Sequence, residues 1–372
     1  MRQRNAAKRV KNYEKLPRWT YILFGVAALC LILYIIAAVS PAFANGFNGS
    51  VGAFVRAALA HLTSWIPFSL AEMLILSVPL IIAAVTVYAY RCRCDTLRAM
   101  LVFIVCLLAV FSIFFSLFVL GFGTGYHTTP LDERLNLASG EVDANALYET
   151  ALWLVSEING AAREVTFGEH GFSVMPYGHG EMNERLIAAF DAVCDEYDFL
   201  QRLDSRVKPV LMSRAMSYTH ITGIYTYFTG EANLNIHFPD YTLPFTAAHE
   251  LAHQRGIARE NEANFVAFLV TAASGDPYIR YTAYLNLYEY VASALYRTDA
   301  ALHKAALSVL DIRVIEELRA FSAFFDTYRD AAIAGVSDAV NDTYLKAHGN
   351  EAGSASYGLV VELAVAYRRT IV

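Results

Sequence analysis

Three uninterrupted apolar runs near the start of the chain, at 20–39, about 70–90 and 100–122, restrict its fold more than any other feature. A helix needs about 20 predominantly apolar residues to cross the hydrocarbon core of a bilayer. Each run reaches that length. The second carries one acid, Glu72, and the third carries no charge. Three such runs so close together argue against buried helices of a soluble core. The chain of 372 residues is 56% hydrophobic and 17% charged, against roughly 25% charge in a soluble domain. That apolar excess lies in the first third, so a membrane module followed by a globular domain is expected. Ala42-Phe43-Ala44 resembles a signal cleavage site. The run before it exceeds the roughly 7–15 residues of a signal core, and two more follow, so it reads as an uncleaved anchor.

Basic residues orient the module. Arg2, Arg4, Lys8, Arg9, Lys11, Lys15 and Arg18 precede the first run, and Arg91, Arg93 and Arg98 separate the second from the third. Only Arg56 lies between the first and second. Cytoplasmic loops retain Lys and Arg. The sequence thus predicts an integral plasma-membrane protein with a cytoplasmic N-terminus and everything after Phe122 outside. The basic tail sits beside a span, where it serves topology and anionic-lipid contact, so the bilayer is an expected partner and nucleic acid is not. Cys30 and Cys106 fall in spans and Cys92 and Cys94 in the cytoplasmic loop. Only Cys194 is left in the outer domain, which excludes a disulfide within it. Glu72 is a functional candidate because it lies in a span, or else it sits near the interface. Nothing in the sequence bears on oligomeric state.

After a basic tail (1–19) and the membrane module (20–122), residues 123–142 read as a linker, with their glycines, proline and mixed charges. The outer domain then covers 143–372. Asp143 suits the N-cap of a helix to about Asn159. A second helix is expected at 181–200. Between Val210 and Phe238 the chain is rich in Tyr, Thr, Ile and Phe with two glycines, which suggests short strands. Helices are predicted at about 243–255, 259–273, 278–297, 299–309, 311–333 and 354–369. The fold class is mainly α (α+β), with a small β element.

The segment Leu243-Pro244-Phe245-Thr246-Ala247-Ala248-His249-Glu250-Leu251-Ala252-His253-Gln254-Arg255-Gly256 carries the chemistry. His249 and His253 are four apart, so on a helix both rings share a face and can bind one zinc ion. Glu250 can take a proton from the metal-bound water and return it to the leaving amine. Pro244 suits a helix start and Gly256 a helix end. The apolar neighbours place the helix in a core, where an unpaired Glu or His is costly. Two solvated surface histidines would not need that setting.

A catalytic zinc site has three protein ligands and water. Position 259 is arginine, so a third histidine of the H-E-x-x-H-x-x-G-x-x-H type is absent. Glu260 and Glu262 on the next helix are both candidates, and helix geometry slightly favours Glu262. A carboxylate at a helix start can also serve only the helix dipole. Weaker candidates follow. Gly230, Glu231, Ala232 and Asn233 suit an edge strand that holds an extended peptide. Arg280, Tyr281, Tyr284 and Tyr288 form a stripe that offers an oxyanion stabiliser or simply core. His220 and His237 are lone histidines, more often packed than ligating.

Two resemblances bear on these choices. In thermolysin-like and prenyl-protein-protease-like enzymes, the ligand glutamate precedes by four residues an acid that orients a zinc histidine. Glu260 with Ala263 and Asn264 resembles that arrangement at a much shorter spacing, which implies Glu260 as third ligand and Asn264 as its supporting hydrogen-bonding group. The segments Ser217-Tyr218, Phe228-Thr229-Gly230-Glu231-Ala232-Asn233, Pro239-Asp240-Tyr241, His249-Glu250-Leu251-Ala252-His253-Gln254 and Asp276-Pro277-Tyr278 also resemble domain of unknown function 3810. That is a family of bacterial membrane proteins with N-terminal spans and an H-E-x-x-H domain. Together they imply a zincin-like, gluzincin-type metallopeptidase domain. The expected activity is zinc-dependent hydrolysis of a peptide or protein, with one Zn2+ on His249, His253 and Glu260 or Glu262. The alternative is a non-catalytic membrane scaffold or receptor with a structural, four-ligand zinc site. Cleavage within the bilayer is disfavoured by the motif's distance in sequence from the last span.

Overall fold

The computed structural model describes residues 15–92, 96–138, 140–329, 335 and 357–371. Arg2, Arg4, Lys8, Arg9, Lys11, Arg93 and Cys94 lie outside the described residues, as do 330–333 and 354–356 of two expected helices. The protein is mostly helical, with one small three-stranded sheet.

Helices α1 (Arg18–Val39), α4 (Leu70–Cys92) and α5 (Leu97–Gly121) are the three apolar runs. Each is long and apolar enough to cross a membrane. Thr96 caps α5 by accepting from the Ala99 amide at 3.1 Å. α1 packs along α5. These helices expose Ile22, Leu31, Ile35, Leu80, Leu101 and Phe111, more large apolar side chains than soluble monomers usually carry on their surfaces. It is compatible with membrane anchoring. Between α1 and α4 the chain is folded rather than a plain loop. α2 (Pro41–Phe47), a π-helical turn (Asn48–Gly52) and α3 (Ala53–Ser64) follow one another.

Part of the segment expected as a linker, 123–142, is folded. Gly123–His127 forms a 3-10 turn with Gly123, Thr124, Gly125 and Tyr126 buried, and α6 (Leu131–Arg134) follows. The remainder comprises α7 (Ala144–Ala161), α8 (His179–Glu196), α9 (Ser213–Ser217), α10 (Leu243–Gln254), α11 (Glu260–Ala272), α12 (Pro277–Thr298), α13 (Ala300–Leu307), α14 (Ile312–Asp326) and α15 (Tyr357–Ile371). Asp143 caps α7 through the Ala146 amide at 2.7 Å. The core forms where α7, α10, α11 and α12 meet, around Leu154, Ile158, Phe265, Val266 and Leu285. The sheet has order β1-β3-β2, from β1 (Lys208–Pro209), β2 (Gly223–Thr226) and β3 (Glu231–Leu234), and it packs on α10.

Buried polar contacts join this domain to the apolar helices. Arg56 of α3, 1% exposed, donates to the Asn48 side chain (2.8 Å) and carbonyl (2.8 Å), to the Gly121 carbonyl (3.0 Å) and to Gln201 (3.2 Å). Asn48 donates in turn to the Gly256 carbonyl at 3.0 Å. Burial lowers the Arg56 pKa to about 10, which still leaves it charged at neutral pH. Glu231 accepts from the Leu70 and Ala71 amides at the start of α4 and from Lys208 at 2.6 Å. Glu72, a functional candidate by its place in a span, instead accepts from the Leu211 and Met212 amides at 2.9 and 2.8 Å. It is a structural carboxylate that holds a loop.

Candidate metal centre

The H-E-x-x-H helix, α10, is buried on nearly every side. Its end explains how the next helix comes to face it. Gly256, at φ +95°, follows the last turn. Its amide bonds to the His253 carbonyl (2.9 Å) and the Ile257 amide to the Ala252 carbonyl (3.1 Å). This is the paired closure that reverses a chain after a left-handed residue. A Cβ on Gly256 would lie 2.5 Å from Arg56 Nη2, so the position needs glycine for space as well as for backbone angle. The reversal places Glu260, first residue of α11, opposite the two histidines.

There Glu260 Oε2 lies 3.2 Å from His249 Nε2 and Oε1 lies 3.5 Å from His253 Nε2. The donor atoms of all three residues fall within 4.8 Å of one another, and the group could hold a metal ion. Donors each 2.0–2.1 Å from a tetrahedral ion would stand about 3.3 Å apart, so the observed spacing fits. His253 Nδ1 is 2.7 Å from the Ile257 carbonyl. A carbonyl can only accept, so Nδ1 carries a proton and Nε2 is the nitrogen that faces the group. Burial opposes charging of His253, but Glu260 outweighs it and raises its pKa to about 9. Burial likewise opposes ionisation of Glu260, yet the two histidines hold its carboxyl well below the usual range.

Glu250 is 4% exposed, and its Oε2 has no hydrogen-bond partner. Burial pushes its pKa up, while the two histidines act in the opposite direction. Gly223 makes room for it, since a Cβ there would lie 2.6 Å from Glu250 Oε1. The Phe122 ring packs edge-on against His253 at 5.7 Å and at a tilt against Tyr225 at 5.4 Å. The motif is therefore adjacent in space to the end of α5, although far from it in sequence.

Glu262 does not join the group. It accepts from the Leu131 amide (3.0 Å) and from Arg259 (2.6 Å), pinning α6. Asn264, expected to support a ligand, instead accepts from Tyr290 at 3.3 Å. The α12 stripe also points elsewhere. Tyr281 donates to Glu317, Arg280 to the Ser274 carbonyl at 3.4 Å, and Tyr284 packs on Trp153 and Phe268. Tyr288 is buried with its hydroxyl unpartnered. His220 and His237 both engage Tyr328, at 2.8 and 2.7 Å. The edge-strand reading of Gly230, Glu231, Ala232 and Asn233 is corrected. β3 is the central strand, and the Gly230 carbonyl accepts from Gln254 at 2.6 Å. The edge strand beside Glu250 is β2.

A family profile described as protein of unknown function (DUF3810) matches residues 48–365. The chain belongs to the DUF3810 family. The match takes in α3, α4 and α5 together with the H-E-x-x-H domain, so in this DUF3810 protein two of the three apolar helices and the metal-type cluster fall within one family unit. No curated protein and no solved structure is detectably similar to it. Gly223, Tyr225 and Phe122 stand beside the cluster with no local signal in the sequence, and Arg56, which braces the turn at Gly256, shows there only as a lone cation between two apolar runs.

Proposed function

We propose that this protein is a membrane-anchored zinc metallopeptidase in which His249, His253 and Glu260 hold one zinc ion and Glu250 is the general base. The observation that carries the reading is the three-donor cluster beside a buried carboxylate whose Oε2 has no partner. An unsatisfied buried acceptor calls for an explanation, and a water shared with the metal supplies one. Zinc, when bound, polarises the scissile carbonyl and acidifies that water. The chain's own residues do the rest. His253 is held in its tautomer by the Ile257 carbonyl, Glu250 accepts the water's proton and passes it to the amine that leaves, and Phe122 and Tyr225 keep one side of the site dry. An extended peptide adding to the β2 edge would pass Glu250.

A structural site closed by four protein ligands has less support. Among the described residues the cluster comprises three, and Glu250 has no part in a closed site. The distribution of basic residues favours a cytoplasmic N-terminus and an extracytoplasmic site.

Purified full-length protein should hydrolyse members of a quenched peptide library, lose that activity to a chelator and regain it with zinc. Chelator-insensitive hydrolysis would contradict the reading. A second prediction follows from Gly223. Gly223→Val adds a branched Cβ where 2.6 Å is available, so Glu250 must move. Activity should fall by roughly 100-fold, as expected when a proton-transfer group is misplaced, while zinc content stays unchanged.

A further inference from the structure

Resting on the metallopeptidase reading, we propose that the site draws its substrate from the bilayer: a polypeptide held there by an apolar segment of its own and cut in the extended residues just outside that segment. The first observation is the lack of any spacer between span and site. α5 ends at Gly121, and the ring of the next residue, Phe122, lies on His253. The second is how deep the sheet reaches. The turn joining β2 to β3 carries Tyr227 and Phe228, and these pack edge-on against Phe118 and Phe114 of α5, each at 5.4 Å. Phe114 lies two turns inside the helix end, about 10 Å along the axis. One end of β2 therefore lies alongside an apolar helix while the strand runs past Glu250.

The third observation is the set of exposed apolar side chains around the sheet. Leu211 (69% exposed) and Met212 (50%), which follow β1 at the edge opposite β2, are held by Glu72 to the first turn of α4, and Ile224 of β2 and Ile236 are exposed as well. Trp65 (78% exposed) and Phe68 lie just before α4. Exposed apolar and aromatic side chains at span ends belong in the interfacial layer of a bilayer. The Arg56, Glu231 and Glu72 contacts fix the domain in this position. A soluble polypeptide would have to thread between the site and lipid. One already anchored in the membrane presents its first residues outside the bilayer at the height of β2 and arrives at raised effective concentration.

The test uses full-length zinc-loaded protein in phosphatidylcholine–phosphatidylglycerol vesicles. One degenerate cleavable library is offered as soluble peptides and as fusions to a single apolar transmembrane helix. In the fusions the library follows a spacer of about 5 or about 30 residues, the longer able to reach ~100 Å from the helix. The expected result is cleavage of the short-spacer fusions at least 10²-fold more efficiently than soluble peptides, in the range linkage can supply. Cuts in the long-spacer fusions should fall in the spacer near the helix rather than in the distant library. Equal cleavage of soluble and anchored forms, or cuts at any distance from the helix, would overturn the inference and leave the metallopeptidase standing. Failure to cleave either form would overturn both.

Discussion

Exchanging Glu250 for Gln should leave a folded, zinc-loaded protein that hydrolyses peptides roughly 10²–10⁴-fold more slowly, the range a positioned general acid–base group contributes. The amide has nearly the shape of the carboxylate, so the packing against Gly223 survives. It cannot accept the proton. Glu250 lies outside the three-donor cluster, so metal content should not change. Stability should hold or rise, because a buried carboxylate with an unpartnered oxygen is replaced by a neutral group whose burial costs less. Measuring kcat/KM, zinc content and Tm on the same preparation separates these effects. Full activity in the variant would remove Glu250 from the mechanism.

The second large effect is expected far from the chemistry. Arg56→Met should destabilise the protein by about 3–5 kcal/mol, because it removes four hydrogen bonds from a charged donor to buried neutral acceptors, each of which costs about 1–3 kcal/mol when left unsatisfied. The Asn48 carbonyl and side chain, the Gly121 carbonyl and Gln201 each lose the hydrogen bond that Arg56 gives them. Asn48 then loses its hold on the Gly256 carbonyl. Gly256 closes the turn that brings Glu260 to the histidines, so zinc affinity should fall together with Tm. A Tm within a degree of wild type would show that the clamp is not what joins the domain to the apolar helices.

The parts of this molecule that could be read from the sequence are those set by local pattern. The apolar runs fixed the three long helices to within a few residues, and the caps at Asp143, Pro244 and Gly256 marked helix ends that the structure shows. The histidine spacing of four placed both rings on one face. Partners distant in sequence were not readable. Helix geometry slightly favoured Glu262 as the ligand, and nothing local shows that its carboxylate is taken by Leu131 and Arg259. Alternation cannot tell a central strand from an edge strand, so β3 was read as an edge although β1 and β2 flank it. The tyrosines of α12 share a stripe whatever they face, and Tyr281 faces Glu317. The glycines and mixed charges of 123–142 look like a linker, yet Gly125 is buried where a Cβ would meet the Gly256 carbonyl at 2.9 Å. The sequence distance between the motif and the last span likewise concealed their adjacency in space.

The proposed chemistry depends on one ion held by three residues. Metal analysis of folded, full-length protein after zinc loading and gel filtration tests it most directly, with His253→Ala and Glu260→Ala run in parallel. The expected result is one zinc per chain in the wild type and loss of tight binding in both variants. Folded wild-type protein that retains no zinc, or both variants retaining a full equivalent, would contradict it.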